Sequence, residues 1–207
     1  MRVYKFLSDN FALDNLAKRR INISQYNEMN DPFELRGVTP SGPRTFDFLQ
    51  TFLNDYCGAL CFTRTWNNSM LWSHYGDKHR GICLGFDIVA PAKLQEPIFL
   101  EKPVIEVFGD TVIELAAMES IASDCTRKSL HFDAVNGLIT KMLLSKSTQW
   151  RYENEIRLLL QLKEDQRDGP FYFAEFDEMI TPIEVVTGPR CSVPLAQIES
   201  EVRVSPV

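Results

Sequence analysis

Two carboxylates and a guanidinium at alternate positions are the sharpest chemical signal in the chain. They are Glu153, Glu155 and Arg157, within Trp150-Arg151-Tyr152-Glu153-Asn154-Glu155-Ile156-Arg157-Leu158. Residues two apart share one face of a strand. An extended segment here would set the three charges side by side and turn Ile156 and Leu158 toward a core. A neighbouring carboxylate raises a carboxyl's proton affinity, and a guanidinium lowers it. Such a set can keep one carboxylate ionised against a developing positive charge while the other handles protons. A solvated edge face crossed by a salt bridge would use the same residues.

Two further segments carry groups that could meet a ligand. In Asn68-Ser69-Met70-Leu71-Trp72-Ser73-His74-Tyr75-Gly76-Asp77, the rings of Trp72, His74 and Tyr75 can stack on a planar group and donate hydrogen bonds. Trp72 also reads as a buried anchor for its loop. His74 and His79 have no cysteine or carboxylate at metal-ligand spacing, so no metal site is expected. Asn30-Asp31-Pro32-Phe33-Glu34 is a turn or extended loop, because Pro32 disfavours helical geometry at Asp31. Asn30 and Asp31 shape it through side-chain bonds to the backbone, and it reads as a loop folded over a ligand pocket. A metal-dependent nuclease using Asp31, Glu34 and Glu155 is a weaker reading, since no acidic pair is followed by the usual lysine. No phosphate-binding glycine loop and no nucleophile elbow occurs.

The elements that must position these groups follow from periodicity and punctuation. Val3–Leu7 reads as a strand, and Ser8 or Asp9 caps a helix carrying Phe11, Leu13, Leu16 and Ala17. Ile21–Ser24 alternates as a strand, and Gly37–Pro43 reads as a flexible connector. Phe46, Leu49, Phe52 and Leu53 mark a helix, and Ala59–Thr63 and Ile82–Phe86 read as strands. Asn67 or Asn68 would cap a brief helical turn between them. An extended segment covers Ile98–Val107. A helical region is expected over about 110–146, with a capping box at Thr111 and Glu114 and a break at Ser123–Ser129. Strands return at Glu155–Leu162, Phe171–Phe176, Ile183–Val186 and Val202–Val204. Strands around a helical middle predict one α+β domain over 1–207, with mixed, mostly antiparallel sheets.

The whole chain narrows the classes. Its 207 residues are 44% hydrophobic and 24% charged, enough for a core without disulfides or metal. A net charge of −6 is not the footprint of a nucleic-acid coat. Five cysteines without a CxxC pair suit a reducing compartment. No apolar leader is evident after Met1 and no stretch approaches the ~18 apolar residues of a membrane span. The expectation is a cytoplasmic protein without a membrane partner.

Taken together, the motifs resemble a bacterial family catalogued as a domain of unknown function. The residues that carry the resemblance are Tyr4-Lys5-Phe6, Asn30 to Glu34, Cys61-Phe62-Thr63, Trp72 to Tyr75, Gly81 to Asp87 and Trp150 to Arg157. More distantly, the layout resembles ADP-ribosyltransferases. That likeness implies a split-sheet fold with NAD in the cleft as substrate, and a transferase acting on a macromolecule, protein or nucleic acid. It implies Glu155 as the catalytic carboxylate that stabilises the oxocarbenium ion as nicotinamide leaves, and Glu153 as the residue orienting the acceptor. Lys5 or Tyr4 would contact NAD, and Thr63 would bond the ribose or brace Glu155. Trp72, Tyr75 and Tyr4 would form a stacking wall, with His74, Asn30 and Asp31 completing the cofactor-binding set. A bacterial toxin or antiphage effector is the implied setting. The alternative is a non-catalytic module that binds a small molecule or a protein.

Overall fold

The computed structural model describes residues 1–31, 34–40, 43–89, 94–101, 104–106 and 134–203. It opens with β1 (Arg2–Leu7), α1 (Asp9–Ala17) and β2 (Arg20–Gln25). Arg19, with a φ of 51°, supplies the left-handed residue that reverses the chain between α1 and β2. A 3₁₀ turn (Tyr26–Glu28), β3 (Val38–Pro40), α2 (Pro43–Tyr56) and β4 (Cys57–Thr63) follow. α3 (Ser69–His74) is started by Asn68, whose side-chain oxygen accepts from the amides of Met70 and Leu71. Next come β5 (Ile82–Ile88), β6 (Leu94–Gln95), β7 (Ile98–Leu100) and β8 (Val104–Glu106). The last stretch holds α4 (Ala134–Leu144), β9 (Ser145–Ser147), a 3₁₀ helix (Thr148–Glu153) and β10 (Glu155–Gln161). It ends with β11 (Arg167–Asp168), β12 (Phe171–Glu175), β13 (Ile180–Thr187) and α5 (Leu195–Arg203).

The class is α+β, and the pairings are antiparallel except β3 with β8 and β7 with β9. β4 is the hub. β10 pairs with it along its whole length, from Glu155 opposite Thr63 to Gln161 opposite Cys57. A strand has two edges, so β1 and β2 must share the other one. β2 meets β4 at Gly58 and Ala59, β1 meets it at Thr63, and between those contacts the two part. The sheet therefore forks over the middle of β4. Gly58 sits where β2 leans in: a Cβ there would lie 2.6 Å from Ile23 Cγ2 and 2.8 Å from Leu162 Cδ2. Beyond the fork β1 pairs with β5 and β5 with β13, while β2 pairs with β12.

Alternation along β4 feeds two cores. Leu60 and Phe62 join Val3, Ile21, Phe86 and Leu158, with Leu16 of α1 and Ile198 of α5 packed on them. Ala59 joins Tyr26, Leu49, Leu53 and Met142 under α2 and α4. A third cluster sets Phe6 against Leu71 and Trp72. Each fully buried Leu or Phe contributes about 1.5–3 kcal/mol, so these clusters, more than surface ion pairs, hold the sheet.

Several expectations change. The Gly37–Pro43 connector contains β3, and the extended 98–107 segment is two short strands, β7 and β8. Val202 and Arg203 belong to α5, not to a strand. Pro194 precedes that helix and its carbonyl accepts from Gln197 and Ile198, a helix start that a three-residue apolar pattern hides. The helical region is described only from Ala134, and residues 107–133, including the Thr111–Glu114 capping box, lie outside the described residues, as do Pro32 and Phe33. Cys57, Cys61, Cys83 and Cys191 form no disulfide. Among the described residues, no helix is long and apolar enough to cross a membrane.

Candidate functional site

The segment from Lys146 to Arg157 builds the charged centre. β9 presents Lys146; Ser147 then caps the 3₁₀ helix by accepting from the Gln149 amide. That helix ends at Glu153, and Asn154, at φ 47° and ψ 42°, turns the chain into β10. Asparagine tolerates this left-handed geometry better than most residues. Glu153 therefore does not lie on the strand with Glu155 and Arg157, as alternation predicts. It reaches the same place from the preceding helix. Thr63 fixes that approach, its hydroxyl donating to the Glu153 carbonyl at 2.7 Å.

Lys146 joins the two carboxylates, its Nζ lying 2.6 Å from an oxygen of Glu153 and 2.6 Å from Oε2 of Glu155. Arg157 lies 3.1 Å from the same Glu155 oxygen. Its guanidinium also holds Glu34 through two bonds of 2.8 and 2.5 Å and donates to the Leu143 carbonyl at 2.9 Å. Tyr75 donates to Glu153 at 2.5 Å. Lys146, Glu153, Glu155 and Arg157 are all buried, Arg157 completely. The solvated strand face is thus excluded, and the cluster is an internal network.

Burial pushes the Glu155 carboxyl up, but Arg157 and Lys146 outweigh it and bring the group down to about 2. Glu34 goes the other way: burial raises it, against the opposing pull of Arg157. Burial and the Glu153 carboxylate both raise Tyr75, so its hydroxyl keeps its proton. Burial takes the Cys61 thiol up to about 12. Burial also lowers Lys5, against weaker attractions from Cys61 and Glu155.

A cavity of about 290 Å³ opens at the fork. Tyr4 and Lys5 of β1, Asn22 and Ser24 of β2, and Cys61 and Thr63 of β4 line it. Glu153, Glu155, Asn30, Asp31 and Tyr75 line it as well. Eight of the ten residues that the transferase resemblance implies as catalytic or cofactor-binding thus meet around one space. Asp31 is tied there by accepting from the Ser147 amide at 2.6 Å. Tyr4 offers its ring, because its hydroxyl is turned away to Glu184 at 3.2 Å. Trp72 and His74 are not among the lining residues. Trp72 packs edge-on against Phe6 at 4.8 Å and donates to the Trp66 carbonyl, which makes it an anchor. His74 is exposed and stands with Tyr75, Trp150 and Tyr152 in an aromatic group.

Lys146 and Trp150 are lining residues that sequence reasoning missed. Lys146 sits in Ser-Lys-Ser with no motif around it; only the turn that brings Glu153 back beside β10 gives it a role. Glu34 and Glu155 face Arg157 between them, and among the described residues no cluster of His, Cys, Asp and Glu could hold a metal ion.

Fold and site together define an α+β protein whose forked sheet encloses a charged cavity. Residues 71–158 match the family described as protein of unknown function (DUF2971), which agrees with the resemblance carried by the motifs. The match takes in the Trp72–Tyr75, Gly81–Asp87 and Trp150–Arg157 segments. No curated protein matches the chain, and no solved structure does.

Proposed function

We propose that the cavity receives NAD by its nicotinamide riboside end and that the protein transfers ADP-ribose to a macromolecular acceptor, in the setting of a toxin or antiphage effector. The observation that carries this reading is the charge of the lining, which has five carboxylates against two amines. A net-negative wall favours a group that becomes cationic as it reacts. The bond between the anomeric carbon and nicotinamide breaks with its electron pair leaving on nitrogen, so positive charge develops on the ribose. Glu155 is the carboxylate most firmly held ionised. Its Oε2 is engaged by Lys146 and Arg157, which leaves Oε1 for the sugar. The cavity is small for a whole dinucleotide, so the adenosine end would lie outside it.

Nicotinamide release from NAD by the purified protein tests the reading. Glu155→Gln should lower it at least about 100-fold, with circular dichroism confirming the fold. A folded wild-type protein that neither binds NAD nor releases nicotinamide overturns it. One observation favours a non-catalytic binding module instead: Lys146 already neutralises much of the Glu153–Glu155 pair. That reading expects nucleotides to raise the melting temperature with no turnover.

A further inference from the structure

Among the described residues, Lys5 is the one cavity-lining amine whose charge is left unanswered. The residue is only 8% exposed. Lys146 divides itself between Glu153 and Glu155, and Arg157 between Glu34 and Glu155. Among the described residues, Lys5 makes no ion pair and no side-chain hydrogen bond. The groups facing it are the Cys61 thiol on β4 and the Glu155 carboxylate on β10. Cys61, up at about 12, keeps its proton and is no counter-ion. Glu155 is already engaged by two cations, which themselves repel a third nearby. A buried ammonium without a partner is costly, and lysine escapes that cost by losing its proton.

We propose that Lys5 is a nucleophilic amine that forms an imine with the carbonyl group of a small aldehyde or ketone bound in the cavity. The Nζ lone pair bonds to the carbonyl carbon, and the C=O π pair moves to oxygen. The nitrogen gives up its two hydrogens, the oxygen leaves as water, and a C=N bond remains. The step is a condensation and needs no oxidant or reductant. Burial beside an open cavity is what keeps such an amine both neutral and reachable. The inference is independent of NAD.

The test uses the wild-type protein without NAD, exposed briefly at pH 7 to propanal and sodium cyanoborohydride, followed by peptide mapping by mass spectrometry. Burial lowers Lys5, so a larger share of it is free amine at this pH than of an exposed lysine. The Lys5 peptide is therefore expected to gain a propyl group several-fold faster than those of the exposed Lys78 and Lys163. Lys5→Arg should remove the fast adduct and leave the slow ones unchanged. Replacing propanal with pyruvate reports whether a 2-oxo acid is taken as well, and an adduct at Lys5 from either supports the proposal. Labelling at Lys5 no faster than at Lys78 and Lys163 with both probes overturns it. Because the readout is a mass adduct, failure of NAD turnover would leave it standing.

Discussion

Arg157 joins parts of the chain that are far apart in sequence. Its guanidinium reaches Glu34 in the loop after β2, the Leu143 carbonyl at the end of α4, and Glu155 on its own strand. Removing one partner of a buried ion pair leaves the other charge uncompensated, at about 3–5 kcal/mol. Arg157→Met should cost that much in urea denaturation. Arg157→Lys should cost less but remain destabilising, because an ammonium cannot hold both Glu34 oxygens in a fork. Acid should expose the carboxylates in a defined order. Glu155 lies at about 2 in the fold against an ordinary 4.5, so the unfolded chain takes up this proton first. Its stabilising share is complete above 4.5 and is lost as pH falls toward 2. Glu34 has the opposite sign, because its raised carboxyl takes up a proton in the fold first, above 4.5. Stability measured against pH should therefore fall most steeply between about pH 4.5 and 2, and Glu155→Gln should flatten that limb. The lowered Asp14, Asp87 and Asp168 are largely exposed and should add little.

At the scale of elements, short capping and close-packing contacts position the cavity walls. Asn68 starts α3 and also donates to the Tyr152 carbonyl at 2.8 Å, so it links that helix to the 3₁₀ helix bearing Glu153. Asn68→Ala should cost about 1–2 kcal/mol in thermal or urea unfolding. It should also loosen the Tyr75–Glu153 contact, which ligand affinity would report. Gly58→Ala drives a methyl into Ile23 and Leu162 at the foot of the fork, and about 1–3 kcal/mol of destabilisation is expected. Much of this architecture was legible beforehand. β1, β4 and β10 announce themselves by apolar composition and alternation, and the cap of α3 is narrowed to Asn67 or Asn68, of which the structure uses Asn68. The fork was not legible, because it depends on which strand pairs with which edge of β4, and periodicity carries no pairing information. Glu153 lies beside Glu155 at the cavity, but it arrives there from the preceding 3₁₀ helix and not along the strand, since strand alternation cannot foresee the left-handed turn at Asn154. Lys146 gave no local signal at all, because its role depends on two carboxylates brought to it by tertiary structure. α5 was missed because Val202 to Val204 is too short a run to separate helix from strand.

For the molecule as a whole, the hub strand should be the last region to open. β4 is flanked by β10 on one edge and by β1 and β2 on the other, and both its faces are covered. Amides of Leu60 and Phe62 should exchange with solvent most slowly in native-state hydrogen exchange, and those of the peripheral β11 much faster. Equal rates in both strands would contradict this. The parting of β1 and β2 has a further consequence for recognition. Backbone N–H and C=O groups point alternately to the two edges of a strand; Leu60 and Phe62 turn theirs to β10, in phase with Arg64, whose amide donates to the Asn154 carbonyl, so the peptide group of Cys61 faces the gap without a strand across from it. Such a group is fixed by the sheet and is the same whatever side chain the residue carries. An amide-bearing ligand held there would lose little when any one cavity side chain is replaced, so an alanine scan of the walls would understate how much of its grip comes from the main chain.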